Sequence, residues 1–147
     1  KKNSSILDYG SGNGAILIYF LSNFYLKKNI SIEINKSFLN FQKKFIKHTK
    51  FLKGNFINPS NFLSKIKSNS VDNIICNSVF QYFVSDKQAI LVLLEFVRIA
   101  KKKIFIYGIS LTSEERKEVI NEAKEILDVE DVIASILLLE DLRIQKN

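Results

Sequence analysis

Five short strand-like runs, at residues 4–9, 29–34, 51–53, 71–76 and 103–107, alternate along this chain with stretches that read as helix. Parallel neighbours need long crossover connections, and those crossovers are right-handed. The alternation therefore implies an α/β fold with a doubly wound, mainly parallel sheet between two helical layers, a three-layer αβα sandwich. The first connecting helix spans residues 15 to about 27 and is almost wholly apolar, ending in the basic pair Lys27-Lys28, which suits a helix C-terminus. A second, at residues 36–47, places Phe38, Leu39, Phe41, Phe45 and Ile46 at helical spacing. Asn58-Pro59 starts a short amphipathic segment to residue 67, followed by a turn at Ser68-Asn69-Ser70. Ser85-Asp86 caps a helix to residue 100 whose apolar face includes Ile90, Leu93, Leu94 and Val97. Thr112-Ser113-Glu114-Glu115 reads as a capped start to a helix reaching about residue 127. Residues 132–139 suit a sixth strand or a helix equally, and no clear antiparallel hairpin closes the sequence.

With 147 residues, 46% of them apolar, the chain has the material for one globular domain over residues 1–147. Its apolar stretches fall short of the roughly 20 residues that span a bilayer, and no basic-then-apolar leader opens it. A soluble cytoplasmic protein without a membrane partner is expected. The single cysteine, Cys76, lies in an apolar run and reads as a core residue, in keeping with a reducing compartment. The net charge of +7 is uneven: residues 1–53 carry ten Lys/Arg against two acids, residues 111–147 five against ten. Attraction of a polyanion is one reading of the basic half. Against it, only Arg98, Arg116 and Arg143 among the 22 basic residues are arginine, the better fork for phosphate. Lysine, asparagine and isoleucine are abundant together, as A/T-rich coding would produce, so nucleic acid is not the expected partner.

The first run opens directly into a glycine-rich loop: Ile6-Leu7-Asp8-Tyr9-Gly10-Ser11-Gly12-Asn13-Gly14. Glycines at alternate positions permit a tight turn and let a ligand approach main-chain N–H groups at a helix N-terminus. A nucleotide-like ligand is expected, and two classes qualify, because Gly10, Gly12 and Ala15 also satisfy the G-x-G-x-x-G/A dinucleotide spacing. Asp8 separates them. A carboxylate beside the loop repels a pyrophosphate and attracts a sulfonium and an ammonium, strongly so in a partly dry cleft.

The stretch resembles motif I, (D/E)-x-G-x-G-x-G, of the class I, Rossmann-like S-adenosylmethionine-dependent methyltransferases of the small-molecule type. That resemblance covers residues 5–109 and implies S-adenosyl-L-methionine as cofactor, with Asp8, Gly10, Ser11, Gly12 and Gly14 at its site. Nineteen residues beyond Gly14, at the end of the second strand, Glu33 is placed to accept hydrogen bonds from ribose hydroxyls; the alternative is a solvated loop acid. Ile34 beside it suits the adenine face. Gly54-Asn55-Phe56 stands where the family has Gly-Asp and an apolar residue beside adenine. The Asn55 amide oxygen can accept from the adenine amino group, or the residue is simply a turn former.

Residues 77–83, Asn77-Ser78-Val79-Phe80-Gln81-Tyr82-Phe83, resemble the N-S-V-x-Q-Y-F stretch of small-molecule methyltransferases and of methyltransferase domains in peptide synthetases. The likeness implies that Asn77 and Ser78 contact the cofactor and that Gln81 and Tyr82 face the methyl group and the substrate. The aromatic residues also suit packing of a helix on the sheet, the preferred role for Phe83. Asn77-Ser78-Val79-Phe80 echoes the N-P-P-(Y/F) loop of amide and base methylases without its prolines, which argues against base methylation. The resemblance further implies helices upstream of the first strand, expected to be missing from this sequence, and a Gly-Gly before the fifth strand, where Lys101-Lys102 stand instead. His48 reads as an exposed loop residue, and no Cys/His cluster suggests a metal.

The function expected is methyl transfer to an oxygen or nitrogen of a small molecule or sugar-like metabolite. Alignment of donor and acceptor does most of that work. Tyr82 and Asp86 are the candidates for removing the acceptor's proton. Two alternatives stand beside it: an NAD(P)-dependent oxidoreductase, and a non-catalytic cofactor-binding or regulatory subunit.

Overall fold

The structure, a computed structural model, describes residues 4–55 and 58–108. Phe56, the helix expected from Ser113 and the readings for residues 128–147 lie outside the described residues. Five strands, β1 (Ser4–Tyr9), β2 (Leu26–Glu33), β3 (Thr49–Lys53), β4 (Val71–Asn77) and β5 (Ala100–Tyr107), form one parallel sheet in the order β3-β2-β1-β4-β5. The chain runs outward from β1 to β3, then returns to the other side of β1 and continues to β5. Loops leaving β1 and β4 therefore diverge at the carboxyl ends of adjacent strands, where ligands of such sheets bind.

Side chains of successive strand residues enter two separate cores. Leu7, Tyr9, Ile30, Ile32, Ile74, Cys76, Ile104 and Ile106 pack with Leu63 of α3 (Pro59–Ser64) and Val92, Phe96 and Ile99 of α4 (Asp86–Ile99). Ile6 and Ile75 pack on the opposite face with Leu17 of α1 (Ala15–Asn23) and Ile46, just past α2 (Lys36–Phe45). This is the doubly wound αβα arrangement expected from the alternation. Its caps are those the residue types favour: Asn58 and Ser85 accept from backbone N–H groups at the starts of α3 and α4, and Asn35 does so for α2.

Three expectations need correction. The first helix ends at Asn23, and Lys27 and Lys28 belong to β2, because pairing of Ser4 with Leu26 and of Ser5 with Lys28 draws that segment into the sheet. In α2 the buried row is Leu39 and Gln42, continued by Ile46, while Phe38, Phe41 and Phe45 stay exposed. Of the inward row, Gln42 and Ile46 pack directly against Gly14, and Gln42 bonds Ser11 and Gly12 of the first βα loop. In α4 the fully buried row is Val92, Phe96 and Ile99, with Leu93 and Val97 only flanking it. Phe96 turns inward to meet the Tyr9 ring edge-on, at 5.2 Å between centroids.

The Lys101-Lys102 departure also has a structural use, at the amino-terminal end of the sheet, opposite the glycine loop. Lys102 Nζ lies 2.7 Å from Asp72 Oδ1, and Asp72 Oδ2 accepts from both the amide and the hydroxyl of Ser5. The Lys102 ammonium, helped by the Ser5 donors, holds the Asp72 carboxyl at about 2, below the ordinary carboxylate range.

Candidate functional site

The glycine loop, residues 10–14, joins β1 to α1. Gly10, Gly12 and Gly14 all have positive φ, at 73°, 54° and 83°, so the loop has a backbone path that L side chains rarely follow. Two of these glycines are also required by close packing: a Cβ on Gly10 would overlap Val79, and one on Gly14 would meet Ile46 and Gln42 at under 3 Å. Gly12 is different. Nothing lies within 4 Å of its missing Cβ, so this part of the loop borders open space.

Four of the five amides of the loop have acceptors within the protein. Gly10 N and Ser11 N both donate to the Ile32 carbonyl, Gly12 N donates to Glu33 Oε2 at 2.7 Å, and Gly14 N donates to the Ser11 carbonyl. Ala15 N, at the start of α1, donates to Asn13 Oδ1. The expectation of N–H groups free for a ligand is thus corrected at these positions: neighbouring strands and the loop itself satisfy them, as buried backbone donors require.

What remains in acceptor form is carboxylate. Asp8, 1% exposed and last but one in β1, lies on the same sheet face as Ser31 and Glu33, by the two-residue alternation of strands. Its Oδ2 is buried without a donor. Burial, with a smaller contribution from the Glu33 carboxylate, pushes the Asp8 carboxyl up to about 7. Glu33 is 7% exposed and is no solvated loop acid: Oε2 takes the Gly12 amide and Oε1 the Asn35 amide at 2.8 Å. It ties the first βα loop to the second, and each oxygen keeps a further lone pair that a ribose hydroxyl can use.

The second loop begins as β4 ends. Asn77 is exposed, and Ser78 takes φ 56°, a strained value for a residue with a side chain. Ser78 N donates to the Tyr107 carbonyl, and Gly108 passes so close to Ser78 that a Cβ there would overlap its hydroxyl. Val79 packs on Gly10, which brings this segment against the glycine loop. Phe80 packs on Phe83 and Phe96, so Phe83 has the packing role preferred for it. Gln81 and Tyr82 are exposed, Tyr82 at 67%, on a single 3-10 turn. Asp86 is exposed in the first turn of α4. Among the described residues, neither the Tyr82 hydroxyl nor the Asp86 carboxylate bonds to another side chain, so the structure does not bring the two together. Ile34 is exposed beside Glu33, and Asn55, also exposed, accepts from the Asn58 amide at 3.3 Å.

Sequence reasoning missed Gln42 and Ser31. Gln42 Nε2 donates to the Ser11 hydroxyl at 2.8 Å and to the Gly12 carbonyl at 2.7 Å, while the Ser31 hydroxyl donates to Gln42 Oε1. The available signal was a glutamine on the row Leu39, Gln42, Ile46, three residues after one apolar position and four before the next. Cys76 is buried in the core and its thiol is pushed up by burial and by the nearby Asp8 charge. His48 is exposed. Among the described residues no group of three His, Cys, Asp or Glu side chains gathers, and no helix is long and apolar enough to cross a membrane.

A family model described as a methyltransferase domain matches residues 1–138. A search of curated proteins found no match. Among solved structures, the chain is similar to the plantazolicin methyltransferase BamL, solved with a desmethyl-plantazolicin analogue and SAH, at 19% identity and a TM-score of 0.70, covering 86% of this chain and 56% of that one. It is similar to a methyltransferase of Haloferax volcanii in complex with the Trm112 activator, at 14% identity and a TM-score of 0.62, over 84% of this chain and 62% of that one. A SAM-dependent methyltransferase of Aquifex aeolicus matches at 19% identity and a TM-score of 0.60, over 84% and 72%. At such identities the likeness establishes a common Rossmann-like fold. The chain spans less than two thirds of the length of the first two.

Proposed function

The chain belongs to the methyltransferase-domain family, and from that premise we propose that it transfers a methyl group from S-adenosyl-L-methionine to an oxygen or nitrogen of a small molecule or sugar-like metabolite. The observation that carries the reading is the unpartnered, buried Oδ2 of Asp8 next to a loop whose amides at positions 10, 11, 12 and 14 already have acceptors. At those four positions the loop offers no free donor, and the carboxyl groups of Asp8 and Glu33 beside it supply lone pairs and, once Asp8 is ionised, negative charge. The site fits a ligand that carries a sulfonium, an ammonium and a ribose, and the two buried carboxyl groups make it ill suited to the negative charge of a pyrophosphate. That same point disfavours the NAD(P)-dependent reading.

When bound, the cofactor supplies a methyl group on an electrophilic sulfonium. Asp8 faces its positive end, and Glu33 accepts from its ribose while holding Gly12. Gly12 leaves the space that the ligand's backbone contact needs. Ile34 and Asn55 border the adenine. Asn77 and Ser78 lie at the methionine end, and Gln81 and Tyr82 receive the acceptor. Tyr82 or Asp86 takes the acceptor's proton where it has one to lose. Residues 1–147 belong to one cofactor-binding domain, and a cytoplasmic location agrees with its single cysteine, which is buried in the core.

Calorimetric titration with S-adenosylmethionine, S-adenosylhomocysteine and NAD tests the reading. Binding of the two sulfur compounds without NAD is expected, and binding of NAD alone overturns it. Asp8→Asn and Glu33→Ala should each weaken binding by about 1.5 to 3 kcal/mol, the value of a charge-assisted hydrogen bond. Unchanged affinity in both variants would move the site elsewhere.

A further inference from the structure

Four hydrogen bonds around Gln42 have a single consistent set of donors. Gln42 Oε1 can only accept, so the Ser31 hydroxyl must donate to it, at 2.7 Å. Ser31 has no second hydrogen, so in its 2.8 Å contact with Ser11 the Ser11 hydroxyl is the donor. Ser11 in turn accepts from Gln42 Nε2. The amide and the two hydroxyls thus form a closed ring in which each group donates to the next. The second Nε2 hydrogen leaves the ring and ends on the Gly12 carbonyl at 2.7 Å. Rotating the amide by 180° would set its oxygen against that carbonyl, so the ring admits one orientation. Gln42 is 0% exposed, and no other acceptor or donor is needed to satisfy it.

Gly12 is thereby held from both sides, its N–H by Glu33 and its C=O by Gln42. The Ser11 hydroxyl, expected at the cofactor, points its hydrogen at Ser31 instead. We propose that Gln42 is a positioning residue for the cofactor loop, acting through Ser11, Ser31 and the Gly12 carbonyl to hold the positive-φ path in which Gly12 borders the ligand. The inference rests on the cofactor reading above for its ligand, but not for its effect on the loop. A buried polar ring with every member satisfied rigidifies what it touches; with one member removed, the others become unpaired donors and acceptors.

The test uses the full chain and the variants Gln42→Met, which keeps volume but removes the amide, and Ser31→Ala, which opens the ring but leaves the Nε2 bond to Gly12. Three readouts are taken: thermal unfolding, calorimetric affinity for S-adenosylhomocysteine, and hydrogen exchange at the Gly12 and Gly14 amides without ligand. Gln42→Met should unfold cooperatively, lose about tenfold in affinity and exchange both amides about tenfold faster, with Ser31→Ala intermediate. A folded Gln42→Met with parental affinity and parental exchange overturns the proposal. If Gln42→Met does not fold, Ser31→Ala decides: parental exchange and affinity in it count against the ring. If the parent binds no sulfur cofactor, the cofactor reading fails by itself, while the exchange rates still judge whether Gln42 holds the loop.

Discussion

Two aspartates on neighbouring strands live in opposite circumstances. Asp72, at the start of β4, receives the Ser5 amide, the Ser5 hydroxyl and the Lys102 ammonium, and its carboxyl sits at about 2. Asp8, near the end of β1, has a buried Oδ2 with no donor and sits at about 7. The amino-terminal end of the sheet has its carboxyl satisfied; the carboxyl-terminal end holds one that its own protein does not complete. The difference teaches where to look for a ligand: a fold tolerates an orphaned buried carboxyl where something else supplies the counter-charge.

The largest expected effect comes from the starved carboxyl. The folded protein holds a proton on Asp8 that the unfolded chain releases near pH 4, so stability falls as pH rises from about 4 to 7 and is level above that. Asp8→Asn removes this cost. Ligand-free Asp8→Asn should therefore be more stable at pH 8, by up to about 4 kcal/mol in urea unfolding, with the gain vanishing near pH 4. A variant that is less stable at pH 8 breaks the comparison at its root. In the parent, S-adenosylmethionine should bind more tightly as pH rises toward 7, by up to about tenfold per unit, with proton release visible as a buffer-dependent binding enthalpy. Binding indifferent to pH would mean that Asp8 does not meet the cation.

At the satisfied end the sign reverses. Asp72→Ala should cost about 1 to 2 kcal/mol at pH 7, leaving Ser5 without its acceptor, and cofactor affinity should stay unchanged. Because the folded Asp72 carboxyl lies below its unfolded value, its contribution is complete above about pH 4 and fades as pH falls toward 2. Gly12→Ala should lose about 1 kcal/mol of stability to the strain of its positive φ, yet lose more affinity than stability, since its new Cβ enters open space that the ligand needs. Equal losses would remove Gly12 from the ligand's border. Smallest of all, Lys102→Ala should cost about 0.5 kcal/mol, because the ammonium is half exposed.

Much of this was legible from the chain alone. The strand–helix alternation, the caps at Asn58 and Ser85, the glycine loop and the acid at Glu33 are local patterns, and local patterns are printed in sequence. The faces of α2 and α4 were misjudged because apolar residues outnumber the inward positions there. Spacing cannot say that Gln42 rather than Phe41 or Phe45 turns inward; its packing on Gly14 and its hydrogen bonds to Ser11, Gly12 and Ser31 come from distant parts of the chain. The direction of the loop amides was likewise hidden, since their acceptors, Ile32 and Glu33, come from a strand some twenty residues away.

By itself the sequence determined the fold class, the positions of the turns and the residue types at the carboxyl ends of the strands, because these follow from nearest-neighbour conformational preferences and hydrophobic period. Only the tertiary structure decided which carboxyl is satisfied and which is left wanting. Asp8 and Asp72 are the same side chain in similar apolar strands. Desolvation and donor supply depend on what other strands and helices bring within a few ångströms, and that is a property of the packed sheet.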